Sequence, residues 1–318
     1  MESPLLKYLL SFENKSNNRY APTFPLYKFH RLYEERRDLS DEERKSSLSI
    51  AKEDKTGFYI LNPFLFSLLQ NHSIWFSAAS QFNDPWDAGR AVSILRKDVA
   101  IEESVLKLLF REDQRAEIAL LPDHAKYESI EDRLREEFRV LRFACFSKQY
   151  DSHLMWAHYA DSHKGICLQF RFMRPLPKSA GAAFGMDAGF PGHYTVRYTD
   201  GSTSIDNIND IGSAVEVLHT KHQSWAYEDE VRFIAAGDPD HPDAGRAVSF
   251  NRSSLTNVIL GCKVPKRVWR MVDLTLTGFK YPHTGLVVAE NDPRTQCLRY
   301  KQLSREKPPE RQVDEQTG

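Results

Sequence analysis

The stretch Phe143–Phe170, FACFSKQYDSHLMWAHYADSHKGICLQF, limits the fold of this chain more than any other. Phe143–Phe146 is a short apolar run of strand length, followed by a polar turn. Leu154, Met155, Trp156, His158 and Tyr159 then predict a compact helix, with Asp151 or Ser152 able to cap its start. Gly165 is expected in the left-handed conformation that ends helices, and Ile166–Phe170 reads as a second strand. A strand, a helix and a strand in so few residues crowd His153, His158, His163, Trp156 and Tyr159 together. That density marks the first place to look for a site.

The rest of the chain predicts an α+β fold with a mixed or mainly antiparallel sheet and helical insertions. Leu26–Arg31 and Ile74–Ser77 read as strands, and Phe64–Leu69 as a short helix with Pro63 near its first turn. Residues 98–141 form a helical insertion, in which Ile130, Leu134 and Phe138 recur every four residues as a core stripe. His193–Tyr198 alternates like a strand, Ile211–Gln223 and Lys266–Thr275 read as helices, and 258–261 and 286–289 are apolar runs. Residues 1–25 are expected to be an arm with a short helix over Leu5–Phe12. Residues 26–300 are expected to form a single domain, and 301–318 a disordered tail. The charged stretch 34–55 reads as a solvated helix or loop, and the Gly-, Pro- and Ala-rich residues 174–193 as a flexible excursion.

Charge separates some functional classes. With 43 basic and 44 acidic residues the net charge is −1, which gives no whole-chain attraction to nucleic acid or anionic lipid. No apolar run reaches the roughly 18–20 residues that span a bilayer, and the N-terminus lacks the marks of a signal peptide. Cys145, Cys167, Cys262 and Cys297 form no C-x-x-C pair and read as reduced thiols, consistent with a cytoplasmic location and no membrane partner.

Two constellations stand out. In an extended strand Glu228, Glu230 and Arg232 would share one face, with Trp225, Tyr227 and Val231 on the other. Two neighbouring carboxylates repel unless a cation answers them; Arg232 does so in part, and a substrate cation would complete it. The second is Gln81–Asp87, where Pro85 stiffens a turn, Phe82 and Trp86 would pin it to the core, and Asn83, Asp84 and Asp87 remain as polar groups at a strand end. A structural asx-turn and a ligand-binding loop explain it equally well. His153, His158 and His163 are spaced by five, a rotation of roughly 140° each on a helix, so no shared metal face and no metal site are expected. His158 is expected to be buried and hydrogen-bonded.

Tyr27-Lys28-Phe29, Ile74–Ser77 with Phe82–Pro85, Cys145–Ser147 with Leu154–Tyr159 and His163–Gly165, and Trp225–Arg232 follow one another in an order that resembles the bacterial family called domain of unknown function 2971. Membership of that family implies no activity. A more distant resemblance is to ADP-ribosyltransferase-like folds, although neither an S-T-S nor an H-Y-E pattern is present. It implies that His30 or Arg31 holds NAD, Ser77 shapes a nicotinamide pocket, and Glu230, with Glu228 beside it, stabilises an oxocarbenium-like centre. The expected site therefore joins Tyr27, Lys28, His30, Arg31, Ser77, Asn83, Asp84, His158, Tyr159, Glu228, Glu230 and Arg232 at one cleft. NAD would be a substrate, in a transferase or NAD-cleaving effector of toxin or phage-defence type.

Two other classes stay open. Trp75, Trp86, Trp156, Tyr159 and Trp225 with Lys148, Lys164, Arg197, Lys221 and Arg232 would serve a nucleic-acid-binding module. A non-enzymatic subunit whose partner protein supplies the chemistry is the third reading.

Overall fold

Hydrophobic periodicity accounts for most of the elements in the computed structural model, which describes residues 24–40, 49–90, 92–172, 193–201 and 204–305. The Leu5–Phe12 helix, most of the 174–193 excursion and the end of the tail lie outside these residues. The fold is α+β with a mixed, mostly antiparallel sheet. It divides into two compact units, a finer grouping than the single domain read from the sequence. Of the described residues, one unit takes 24–28, 72–152 and 171–254, and the other takes 29–71, 153–170 and 255–305.

In chain order the strands are β1 (Leu26–His30), β2 (Tyr33–Arg36), β3 (Ser49–Ala51), β4 (Phe58–Leu61), β5 (Ser73–Ala78), β6 (Leu141–Ser147), β7 (Ile166–Phe170), β8 (His193–Thr195), β9 (Arg197–Thr199), β10 (Thr220–His222), β11 (Glu230–Ala236), β12 (Arg246–Ser249), β13 (Leu255–Leu260), β14 (Gly285–Asp292) and β15 (Cys297–Leu303). The helices are α1 (Pro63–Asn71), α2 (Glu103–Leu109), α3 (Glu112–Ala119), α4 (Asp123–Arg139), α5 (His153–Tyr159), α6 (Ile211–Val217) and α7 (Lys266–Gly278).

The first unit is built around β6. All but one of its residues are buried, Arg142 and Ser147 among them, and it is paired on both edges. Along its length it pairs antiparallel with β11, from Glu230 opposite Ser147 to Ala236 opposite Leu141. It also pairs with β5 at Phe143 and Arg142 and meets Tyr27 of β1 at Ser147. The stripe Ile130, Leu134 and Phe138 of α4 is buried on Phe143, Leu141 and Ile234. Each such side chain contributes about 1.5–3 kcal/mol by leaving water. The expected helix over 211–223 stops early: α6 ends at Val217, and Thr220–His222 instead pairs in parallel with β9, placing Lys221 opposite Tyr198.

In the second unit β7 pairs antiparallel with β13, β13 runs parallel to β14, and β14 pairs antiparallel with β15. A parallel pair needs a crossover, and α7 supplies it with Val268, Met271, Val272 and Leu276 buried. The chain from Lys301 is expected to be disordered, but residues 301–303 complete β15, and Arg305 is bonded to Asp273 at 2.7 Å. Three short antiparallel strands, β2, β4 and β3, form a separate sheet.

The stretch around α5 holds two departures from expectation. Gly165 has no positive φ. Instead Asp161, Ser162 and His163 take the left-handed turn, at φ 48, 55 and 71°. Gly165 is needed for a different reason: a Cβ there would lie 2.3 Å from the His30 carbonyl oxygen and 2.7 Å from Ala160. His158 is exposed rather than buried, while Trp156 is fully buried against Phe29 at 5.3 Å between ring centroids.

Candidate functional site

The Glu228–Arg232 stretch does not form one extended strand. Gln223–Glu228 is a 3-10 helix, Asp229 turns the corner in the left-handed region at φ 42°, and β11 begins only at Glu230. The two glutamates meet through that corner rather than through strand periodicity. Their carboxylates point inward, not to solvent, with Glu228 and Glu230 exposed by only 5% and 2%.

What they meet is a closed charge network. Arg232 is fully buried, and all five of its N–H groups have acceptors. Nε and one Nη bond the two oxygens of Glu230 at 2.8 and 3.0 Å. The fork bonds Asp87 at 2.8 and 3.0 Å, and the remaining N–H donates to the Leu218 carbonyl at 2.8 Å. The Phe82 and Phe143 rings lie 5.6 and 5.8 Å from the guanidinium carbon. Lys221 places its ammonium 2.6 Å from Glu228 and 3.4 Å from both Glu230 and Asp87, over the Trp225 ring at 4.8 Å.

Burial alone would raise the Glu230 carboxyl. Arg232 and Lys221, with hydrogen bonds from Arg232 and the Cys145 thiol, outweigh it and hold Glu230 at about 2. Burial would lower Lys221 and Arg232, yet the carboxylates raise both. Burial and the Glu230 charge push the Cys145 thiol well up, so it is not a nucleophile near neutral pH. Lys28 donates to the Cys145 carbonyl at 3.0 Å; burial lowers its ammonium, against the pull of Cys145 and Glu230. The Glu230 backbone N–H donates to the Tyr198 hydroxyl at 2.9 Å. With its oxygens bonded to Arg232 and its pKa near 2, Glu230 is poorly placed as a base or nucleophile.

The loop after β5 reaches this network from outside. The Asp84 carboxylate accepts the Trp86 backbone N–H at 2.9 Å, an asx-turn that turns Asp87 into the network. Ala88 and Gly89 follow at φ 54 and 74°, and a Cβ on Gly89 would press to 2.7 Å from the Phe138 ring. Phe82 packs on Phe143 at 5.7 Å as expected, but Trp86 does not pin the loop, because its indole is 67% exposed. Trp86 stands in a cleft of about 580 Å³ lined by Asp84, Asp87, Arg135, Lys221 and His222. On its wall the Ser93 and Ser204 hydroxyls are 2.9 Å apart. Asp84 is 5% exposed and forms no ion pair among the described residues.

The sequence-predicted residues are distributed unevenly. Glu228, Glu230 and Arg232 share the network, Lys28 lies beside it, and Asp84 lines the cleft that Lys221 and Asp87 floor. Asn83 is exposed, Tyr27 is buried 5.1 Å from Tyr150, and Ser77 sits opposite Phe143 on β5. His30, Arg31, His158 and Tyr159 belong to the second unit. There Arg31 approaches Asp161 at 3.7 Å, and the His158 and Tyr159 rings are 6.3 Å apart. Of the aromatic and basic side chains considered for nucleic acid, Trp156, Lys221 and Arg232 are buried. Lys148 and Arg197 are paired with Asp229 and Glu216, at 3.3 and 3.0 Å.

The first unit is thus an α+β scaffold in which Asp87 and Lys221 of a buried ion network also line an open cleft beside the Trp86 indole. A family model described as "Protein of unknown function (DUF2971)" matches residues 155–233, about a quarter of the chain. The matched stretch contains Lys221, Glu228, Glu230 and Arg232, whereas Asp87 and the Trp86 loop lie outside it. No curated protein and no solved structure matches the chain.

Proposed function

We propose that the first unit binds a small ligand of the nucleoside class in the cleft at Trp86, with the ion network shaping the floor rather than reacting. The observation that carries this is an exposed indole beside Asp84, a buried carboxylate with no cationic partner among the described residues, in a cleft of about 580 Å³. Ligand pockets are typically about 300–1,000 Å³. A flat ring stacks on Trp86, and Asp84 accepts hydrogen bonds from ribose hydroxyls or faces a cationic ring. The finer reading is NAD as substrate, hydrolysed at its nicotinamide–ribose bond: neutral nicotinamide leaves with the bonding pair, and water adds to the ribose carbon and releases a proton. Because Glu230 is committed to Arg232, Asp84 is then the carboxylate that steadies the developing positive charge.

Titration of the protein with adenosine, nicotinamide riboside and NAD, followed by tryptophan fluorescence and calorimetry, tests both levels. Saturable binding weakened at least tenfold by Trp86→Ala is the expected result. Nicotinamide release from NAD that is lost in Asp84→Asn would support the finer reading. Absence of saturable binding up to millimolar ligand removes the proposal. Oligonucleotide binding with a steep salt dependence would replace it with a nucleic-acid function.

A further inference from the structure

The loop that carries Trp86 borders a second, smaller pocket. Its first half, Asp84 to Asp87, lines the large cleft, while Ala88, Gly89 and Arg90 line a pocket of about 210 Å³. Arg135 lines both. The floor is apolar, made of Ala78, Ala79, Ala88, Gly89 and Phe138, and Arg90, Arg135 and Arg139 stand around it. Asp243 is the one carboxylate on its lining. It is bonded to Arg139 at 2.7 Å and accepts the Ser80 hydroxyl at 3.1 Å, which orients the guanidinium at the rim of the pocket. The exposed Arg90 side chain makes no hydrogen bond or ion pair among the described residues.

The two pockets differ in charge. In the large cleft Asp87 and Lys221 are paired with each other, whereas on the small pocket Arg135 is answered by Asp132 and Glu131 and Arg139 by Asp243, so Arg90 is the guanidinium left without a carboxylate among the described residues. Guanidinium groups over an apolar floor favour a compact oxyanion, because low-dielectric walls strengthen the attraction and the planar fork matches phosphate geometry.

We infer that the small pocket is a phosphate subsite, with Arg90 as its principal ligand-binding side chain and Arg139, held by Asp243, as its second. Given the nucleoside reading of the neighbouring cleft, on which this part rests, the natural ligand is a nucleoside phosphate lying across the Asp87–Ala88 step. Its ring sits on Trp86 and its phosphates pass Arg135 to Arg90.

Calorimetry with pyrophosphate, adenosine and ADP on the full chain, as wild type, Arg90→Gln and Trp86→Ala, tests the inference. The Arg90 side chain makes no hydrogen bond or ion pair among the described residues, so an unchanged melting temperature is expected and serves as the folding control. The wild type should bind ADP at least tenfold more tightly than adenosine. Arg90→Gln should erase that preference and pyrophosphate binding while sparing adenosine. Trp86→Ala should weaken adenosine and leave pyrophosphate unchanged. Pyrophosphate binding that depends on Arg90, with no adenosine binding, would sustain the subsite and overturn the nucleoside reading. Adenosine binding that depends on Trp86, with equal affinity for ADP in wild type and Arg90→Gln, would overturn the subsite alone. Failure of all three ligands to bind overturns both.

Discussion

Arg232 and Arg142 are buried to the same degree in the same unit, at 0% and 1% exposure, but they are neutralised in opposite ways. Arg232 faces the carboxylates of Asp87 and Glu230. Arg142 donates only to backbone carbonyls, those of Arg139, Leu141, His241 and Ala244. The outcome appears in the acid–base behaviour: carboxylates raise Arg232 despite its burial, while burial lowers Arg142 because dipoles replace only part of its hydration. A guanidinium answered by carbonyls ties down a loop, here the segment from Gly237 to Ala244. One answered by carboxylates builds a charged core that cannot lose a member cheaply.

The largest test of this contrast is Arg232→Met. It strands three carboxylates around Lys221 alone and is expected to cost about 3–5 kcal/mol in urea denaturation. Arg142→Met leaves carbonyls that water can reach once the loop loosens. A cost of about 2–3 kcal/mol is expected, with faster amide exchange confined to 237–245. Equal losses for the two variants would break the comparison.

A pH titration of stability sharpens it next. His219, stacked on Tyr194 at 4.8 Å, is pushed down to about 4 by burial, which outweighs its hydrogen bond with the Val215 carbonyl. The unfolded chain takes up that proton near 6.5, so stability should fall by about 1–3 kcal/mol as pH drops from 6.5 to 4. Glu230, held at about 2, adds a second loss as pH drops from its ordinary value near 4.5 toward 2. His219→Phe should shrink the first limb, to which His193 and His163 also contribute because burial lowers both, and keep the second in thermal melts taken across this range. The smallest effect is expected for Asp84→Asn. Asparagine keeps a side-chain oxygen to accept the Trp86 N–H, so stability should change by under about 1 kcal/mol, whatever the substitution does to ligand binding.

Periodicity made the framework legible. Ile130, Leu134 and Phe138 declared the buried face of α4, and the apolar runs around Phe143 and Ile166 marked β6 and β7. The charged residues were legible only as a local pair. Glu228, Glu230 and Arg232 were visible together, but the left-handed corner at Asp229, which aims Glu228 inward, has no pattern in a sequence lacking glycine there. Asp87 and Lys221 complete the network from positions 145 and 11 residues away from Arg232, and nothing local in DPWDAG or HTKHQ reveals those partners. Trp86 misled for a physical reason: hydrophobicity argues for burial, but the Asp84 asx-turn fixes the backbone so that Asp87 takes the inward position.

The five-donor seat of Arg232 bears on assembly as well as stability. Its acceptors come from the loop at 87, the end of α6 and β11, so the seat exists only after segments far apart in the chain have docked. A chain with β6 and β11 paired but the 87 loop still adrift holds a guanidinium half answered in a closing interior. An unanswered charge there is costly, so the seat stabilises the fold only when all of its segments are in place together.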